Sequence, residues 1–85
     1  MTYADLVHLC PTRFTITASE WLDDDGTLRR TLDLRDDQDQ ILAQSLDLTV
    51  AEFCARMLPQ HGAHRYMLTA VEPPHGRAQA WRVLT

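Results

Sequence analysis

The sequence predicts an α+β fold: an antiparallel three-stranded meander plus a C-terminal hairpin, with one main amphipathic helix packed on the sheet. Three observations predict it. Apolar residues recur at alternate positions through 13–22, 27–36 and 40–48, the period of half-buried strands. Asp-rich clusters separate these segments, as hairpin turns would. The segment 49–60 then changes to helical spacing.

At 85 residues the chain suits one domain, 1–85, with a single modest core. An apolar content of 45% argues against disorder. No run approaches the roughly 18 apolar residues of a membrane span, so no membrane association is expected. Met1-Thr2-Tyr3-Ala4-Asp5 lacks a basic leader, so no signal peptide is expected and the expected location is the cytoplasm. The net charge of −4 disfavours nucleic-acid binding by broad backbone neutralisation. All eight basic residues are Arg, which removes lysine Schiff-base and P-loop chemistry. Cys10 and Cys54 read as small apolar packers rather than a disulfide.

Residues 2–10 place Tyr3, Leu6, Val7 and Cys10 on one helical face between Thr2 as cap and Pro11 as stop, predicting a short N-terminal helix. The even positions Phe14, Ile16, Ala18 and Leu22, then Leu28, Leu32 and Leu34, then Leu42, Leu46 and Leu48 form the buried face of the meander. Glu20, Arg30, Gln40 and Gln44 break that pattern. Apolar residues on one face must pair even with even, so each hairpin loop needs an odd number of residues. Asp24-Asp25-Gly26 and Asp37-Gln38-Asp39 both satisfy this, with Gly26 supplying a left-handed residue. The resulting register pairs Ala18 with Leu32, Ile16 with Leu34, Trp21 with Arg29, Ser19 with Thr31, Thr31 with Ser45 and Arg29 with Asp47.

Thr49 caps the main helix over 49–60, and Glu52 three residues on completes a capping box. Val50, Phe53, Cys54, Met57 and Leu58 form its apolar stripe, and Pro59 and Gly62 end it. Segments 65–72 and 79–85 are two further strands joined through Pro73-Pro74-His75-Gly76. Tyr66, Leu68 and Ala70 alternate with Met67 and Val71, so the first of these strands is expected to be central.

Asp23-Asp24-Asp25-Gly26-Thr27-Leu28 is similar to the D-x-D-G-T-L signature of haloacid-dehalogenase-type phosphatases. The resemblance implies that Asp23 is a phosphoryl nucleophile and Asp25 an acid/base. It covers six residues, and the surrounding pattern opposes it. That chemistry needs a parallel strand and crossover helix, whereas a second strand follows Leu28 directly. The acidic pair Asp36 and Asp37 would also lie ~30 Å away, at about 3.3 Å per strand residue. The six residues read better as an acidic hairpin turn. An EF-hand spacing fails at Trp21 and Leu32, where ligands would be required. His61 and His64, with Cys54 nearby, fall short of the four ligands of a structural zinc site. No catalytic group, metal or cofactor is expected.

What remains is surface. Asp23, Asp24 and Asp25 cluster at one end of the predicted sheet, and Asp36, Asp37 and Asp39 at the other. Trp21 and Arg29 sit with Arg13, Thr15, Thr17, Thr31, Arg35 and Ile41 on the outer face, which is either an interface, as its composition suggests, or the seat of the N-terminal helix. The expected function is that of a small, acidic, non-catalytic protein-binding module. It would occupy a partner's surface, basic where it meets the aspartates, as inhibitors and accessory proteins of mobile elements do. The alternatives are a nucleic-acid-binding sheet face using Arg13, Arg29, Arg35 and Trp21, a small enzyme or metalloprotein with only the Asp and His clusters as material, and a structural subunit of a homo-oligomer such as a dimer.

Overall fold

The computed structural model describes residues 14–85, so the predicted helix over 2–10 and Arg13 lie outside the described residues. The described elements are β1 (Phe14–Leu22), β2 (Leu28–Arg35), β3 (Ile41–Leu46), α1 (Val50–Met57), a 3₁₀ turn (Pro59–His61), β4 (Met67–Val71) and β5 (Gln79–Leu84). The fold is a small α+β domain with one five-stranded antiparallel sheet and one α-helix among the described residues. None of the described helices is long and apolar enough to cross a membrane.

The strand order is β3-β2-β1-β5-β4. The predicted meander and hairpin are therefore a single sheet, joined where β5 pairs with β1. β4 is an edge strand and not a central one, and its Met67 stands exposed. Every neighbouring pair is antiparallel, so the two edge strands β3 and β4 run in the same direction. The chain between them crosses one face of the sheet, carrying α1 with it.

The first hairpin has the expected register, with Ala18 opposite Leu32, Ile16 opposite Leu34, Ser19 opposite Thr31 and Trp21 opposite Arg29. The second does not. Next to the turn Arg35 faces Ile41, but Leu34 faces Ala43, so Leu42 is an extra residue and the pairing beyond it moves by one. Thr31 then faces Leu46 rather than Ser45. The physical reason lies at Gln44. The expected register would put its amide beside Leu32 on the core face, where an unpaired amide is costly. The bulge turns Gln44 to the outer face, where its Nε2 donates to the buried Asp33 carboxylate at 2.7 Å. Ala43 and Ser45 take the inner positions instead.

The core is the inner face of β1, β2 and β5 closed by α1. Ile16, Ala18, Leu32, Leu34 and Val83 pack with Phe53, Cys54, Leu58 and Ala63. Thr49 caps α1 as expected: its Oγ1 accepts from the Glu52 N–H at 3.1 Å and contacts Glu52 Oε1 at 3.0 Å. The α-helix ends at Met57, short of the expected 60, because Pro59 carries no N–H to extend it and the chain tightens into the 3₁₀ turn.

Four leucines expected inside are outside. Leu22 and Leu28 pair across β1 and β2 but stand exposed, and the bulge leaves Leu42 and Leu46 exposed as well. An eight-residue helix is only about 12 Å long, whereas a nine-residue strand runs to about 30 Å. The helix cannot cover the far end of the first hairpin, which projects beyond the core as an arm.

Substitutions should divide along that line in denaturant unfolding. Leu34→Ala should cost about 2–5 kcal/mol, as buried truncations do. Leu28→Ser on the arm should stay within about 1 kcal/mol. Equal losses at the two positions would show that the arm is packed.

Candidate functional site

The two acidic tips are built alike. In the first, the Gly26 N–H donates to Asp23 O at 3.0 Å and the Asp23 N–H to Thr27 O at 3.1 Å, closing a three-residue loop. In the second, the Asp39 N–H donates to Asp36 O at 3.1 Å and the Asp36 N–H to Gln40 O at 3.0 Å. Each loop ends on a left-handed residue, Gly26 at φ 82° and Asp39 at φ 63°. Aspartate is one of the few side-chain-bearing residues that tolerate this conformation, which is why the second turn forms without glycine.

Most of the tip carboxylates are committed to these turns. Asp23 Oδ1 accepts from the N–H groups of Asp25 and Thr27, both at 3.1 Å. Asp36 Oδ1 does the same for Gln38 and Gln40, both at 2.9 Å. Asp25 Oδ1 accepts from the Thr27 N–H at 2.9 Å, and Asp39 pairs with Arg35 at 3.3 Å. Among the predicted aspartates, Asp24 and Asp37 are exposed and hold no such contact. The motif that resembles a phosphatase signature is thus a hairpin turn in an antiparallel sheet, with Asp23 and Asp25 holding backbone N–H groups.

The predicted cations are also engaged. Arg29 pairs with Asp47 at 3.3 Å and lies 3.9 Å from Asp23, so the expected Arg29–Asp47 contact forms despite the shifted register. Arg35 lies between Asp33 at 3.5 Å and Asp39. Thr17, expected on the open outer face, is buried and lines a cleft of about 210 Å³ with Arg35, Asp39, Pro74, His75 and Arg77. That volume is below the range of pockets for drug-sized ligands.

Trp21 is half exposed and its Nε1 donates to Thr31 Oγ1 at 3.3 Å. It stands on the face of the arm opposite Leu22 and Leu28. Thr31 and Leu46 continue this surface to β3, where they line an open cleft of about 400 Å³ with Gln44 and Ser45. Sequence reasoning missed Leu22, Leu28 and Leu46 as surface because alternation marks a face without showing how far the helix covers it.

The predicted site is two patches. Trp21, Asp23, Asp24, Asp25 and Arg29 share one end of the sheet, while Asp36, Asp37 and Asp39 lie at the other end of β2. No group of three His, Cys, Asp or Glu side chains among the described residues is placed to hold a metal ion. Cys54 is a buried free thiol; burial raises its pKa, and a hydrogen bond with Tyr66 opposes the rise. His61 lies against Phe14 with ring centroids 6.2 Å apart. No protein-family model, curated protein or solved structure matches this chain.

The turn chemistry has a pH signature. The hydrogen bond with the Asp23 carboxyl, then those from the Thr27 hydroxyl and N–H, lower Asp25 from 3.8 to about 2. The folded value lies below the unfolded one, so its stabilising contribution is present above about pH 3.8 and is lost as pH falls toward 2. Carboxyl-carbon NMR should find the Asp25 midpoint near 2, moved back toward 3.8 by Asp23→Ala. An unchanged midpoint in that variant would remove the carboxyl pair as the cause.

Proposed function

We propose that this chain is a small, non-catalytic protein-binding module that occupies a partner's surface through the projecting β1–β2 arm. The observation that carries this reading is the arm itself. Leu22 and Leu28 are 68% and 64% exposed on one face, and Trp21 is 43% exposed on the other. Large apolar groups gathered at one end and rimmed by charges are the composition of a contact surface. Aromatic anchors such as Trp21 carry a large share of binding energy where they become buried.

The aspartates contribute as a field more than as contacts. Asp24 and Asp37 are available to a basic partner, while the others steer approach from their fixed places in the turns. Arg29 and Arg35, the cations that a nucleic-acid-binding face would use, each face two carboxylates. This favours a protein partner over a phosphate backbone. A second reading, self-association, is favoured by one observation: β3 and β4 are both edge strands, and both expose apolar side chains.

The test is capture from host lysate, with and without nuclease, by the wild-type chain and by a Leu22→Ser/Leu28→Ser double variant, each checked by circular dichroism for an unchanged fold. A stoichiometric partner held by the wild type and lost by the variant is the expected result. Equal capture by both would overturn the arm as the contact. Capture abolished by nuclease would replace the reading with nucleic-acid binding, and a wild-type chain that sediments as a dimer would favour self-association.

A further inference from the structure

We propose that the edge of β3, unpaired among the described residues, is a docking strand for an extended, basic segment of a protein partner, which adds to the sheet as a sixth strand. This rests on the protein-binding reading above and gives it a mode and a partner chemistry.

The first observation is main-chain geometry. β3 is an edge strand. The Asp47 N–H donates to Arg30 O at 2.8 Å, which marks that pair as hydrogen-bonded. Hydrogen-bonded and non-bonded pairs alternate along an antiparallel ladder, so the Leu32–Ser45 and Leu34–Ala43 pairs are bonded too. Gln44 and Leu46 therefore turn their N–H and C=O groups away from β2, toward the open side. Such groups are a template for strand addition, with main-chain bonds for affinity and side-chain seats for specificity.

The second observation is a seat beside that edge. Leu46, 53% exposed, lines the open cleft with Thr31, Gln44 and Ser45, and the Trp21 indole reaches Thr31 from the other side. An apolar side chain of an incoming strand would rest there against Leu46.

The third observation is charge. At the start of β3, Asp36, Asp37 and Asp39 outnumber Arg35. Beyond its end, Asp47 and the arm-tip residues Asp23, Asp24 and Asp25 outnumber Arg29 and Arg30. Both ends of the docking strand are acidic, so the complementary segment carries cations at its ends and apolar residues between them. A second copy of this chain would bring aspartates to the same places. The edge also lacks Pro, a device that natural sheets use to block pairing. Its bulge at Leu42 leaves Ala43–Leu46 as the flat stretch for pairing. The opposite edge, β4, has Arg65 before it and Glu72-Pro73-Pro74 after it, so it carries an acid at one end only.

The probe is the peptide acetyl-Arg-Thr-Val-Thr-Val-Arg-amide added at millimolar concentration to the ¹⁵N-labelled full chain. Amide exchange at Gln44 and Leu46 should slow about tenfold or more. Peptides N-methylated at alternate residues should lose the effect in at least one of the two phases, and added salt should weaken it. Unchanged exchange at both amides, or equal action by both N-methylated peptides, would overturn the proposal. So would protection of both amides in a dimer without peptide, which would assign the edge to a second copy. The Leu22→Ser/Leu28→Ser variant keeps this edge, so loss of lysate capture with intact peptide protection concerns the arm alone. Intact capture without peptide protection would overturn strand addition alone.

Discussion

The structure depends on the register of β1 against β2, because that register decides which side chains meet α1. A slip of one residue would carry Ile16 and Ala18, or Leu32 and Leu34, to the opposite face. Two turns of the same design hold the strands in place. Each begins with an aspartate whose carboxylate accepts two backbone N–H groups, and each ends on a left-handed residue. The acidity of the tips follows from this. Asp23 and Asp36 are there as acceptors for backbone donors, and their charge is a consequence that the surface then carries.

A second constraint is the disparity between helix and sheet. The Thr49 cap, the Phe53–Cys54–Leu58 stripe and the 3₁₀ turn cover the middle of the inner face, where the buried residues of β1, β2 and β5 converge. Among the described residues, the arm beyond it has no apolar layer on either side. Its leucines continue the strand pattern of the core without the partner that would bury them. The same chemistry that makes a core in the middle of the sheet therefore makes a contact surface at its end, and this is the physical basis of the proposed function.

The sequence made much of this legible. The parity argument located both three-residue loops and the β1–β2 pairing, since side-chain alternation and loop length jointly fix a hairpin. Thr49 and Glu52 marked the start of α1 by a local hydrogen-bond pattern that tertiary structure did not alter. Strand order was beyond reach. That β5 enters between β1 and β4 depends on long-range pairing, and the two-sided apolar pattern of β4 suggested a central strand. The bulge at Leu42 left one trace, the polar Gln44 among positions assigned to the core. Its meaning depended on Asp33, eleven residues away and itself unremarked, accepting from that amide. The sequence marks the aspartates as surface, but their division into turn acceptors, ion-pair partners and available carboxylates depends on the folded geometry of the two turns.

The bulge most directly supports the whole account, because it places Gln44 on Asp33, leaves Leu46 outside and turns the main-chain groups of Gln44 and Leu46 to the open edge of β3. Interstrand Hα–Hα Overhauser contacts report it without any variant. Strong contacts between Thr31 and Leu46 and between Asp33 and Gln44 are predicted, since those residues form the close, non-bonded pairs of the shifted register. Strong contacts of Thr31 with Ser45 or of Asp33 with Ala43, the non-bonded pairs of the unshifted register, would mean an unbulged strand with the Gln44 amide facing the core. That result would contradict both the fold described and the surface built on it.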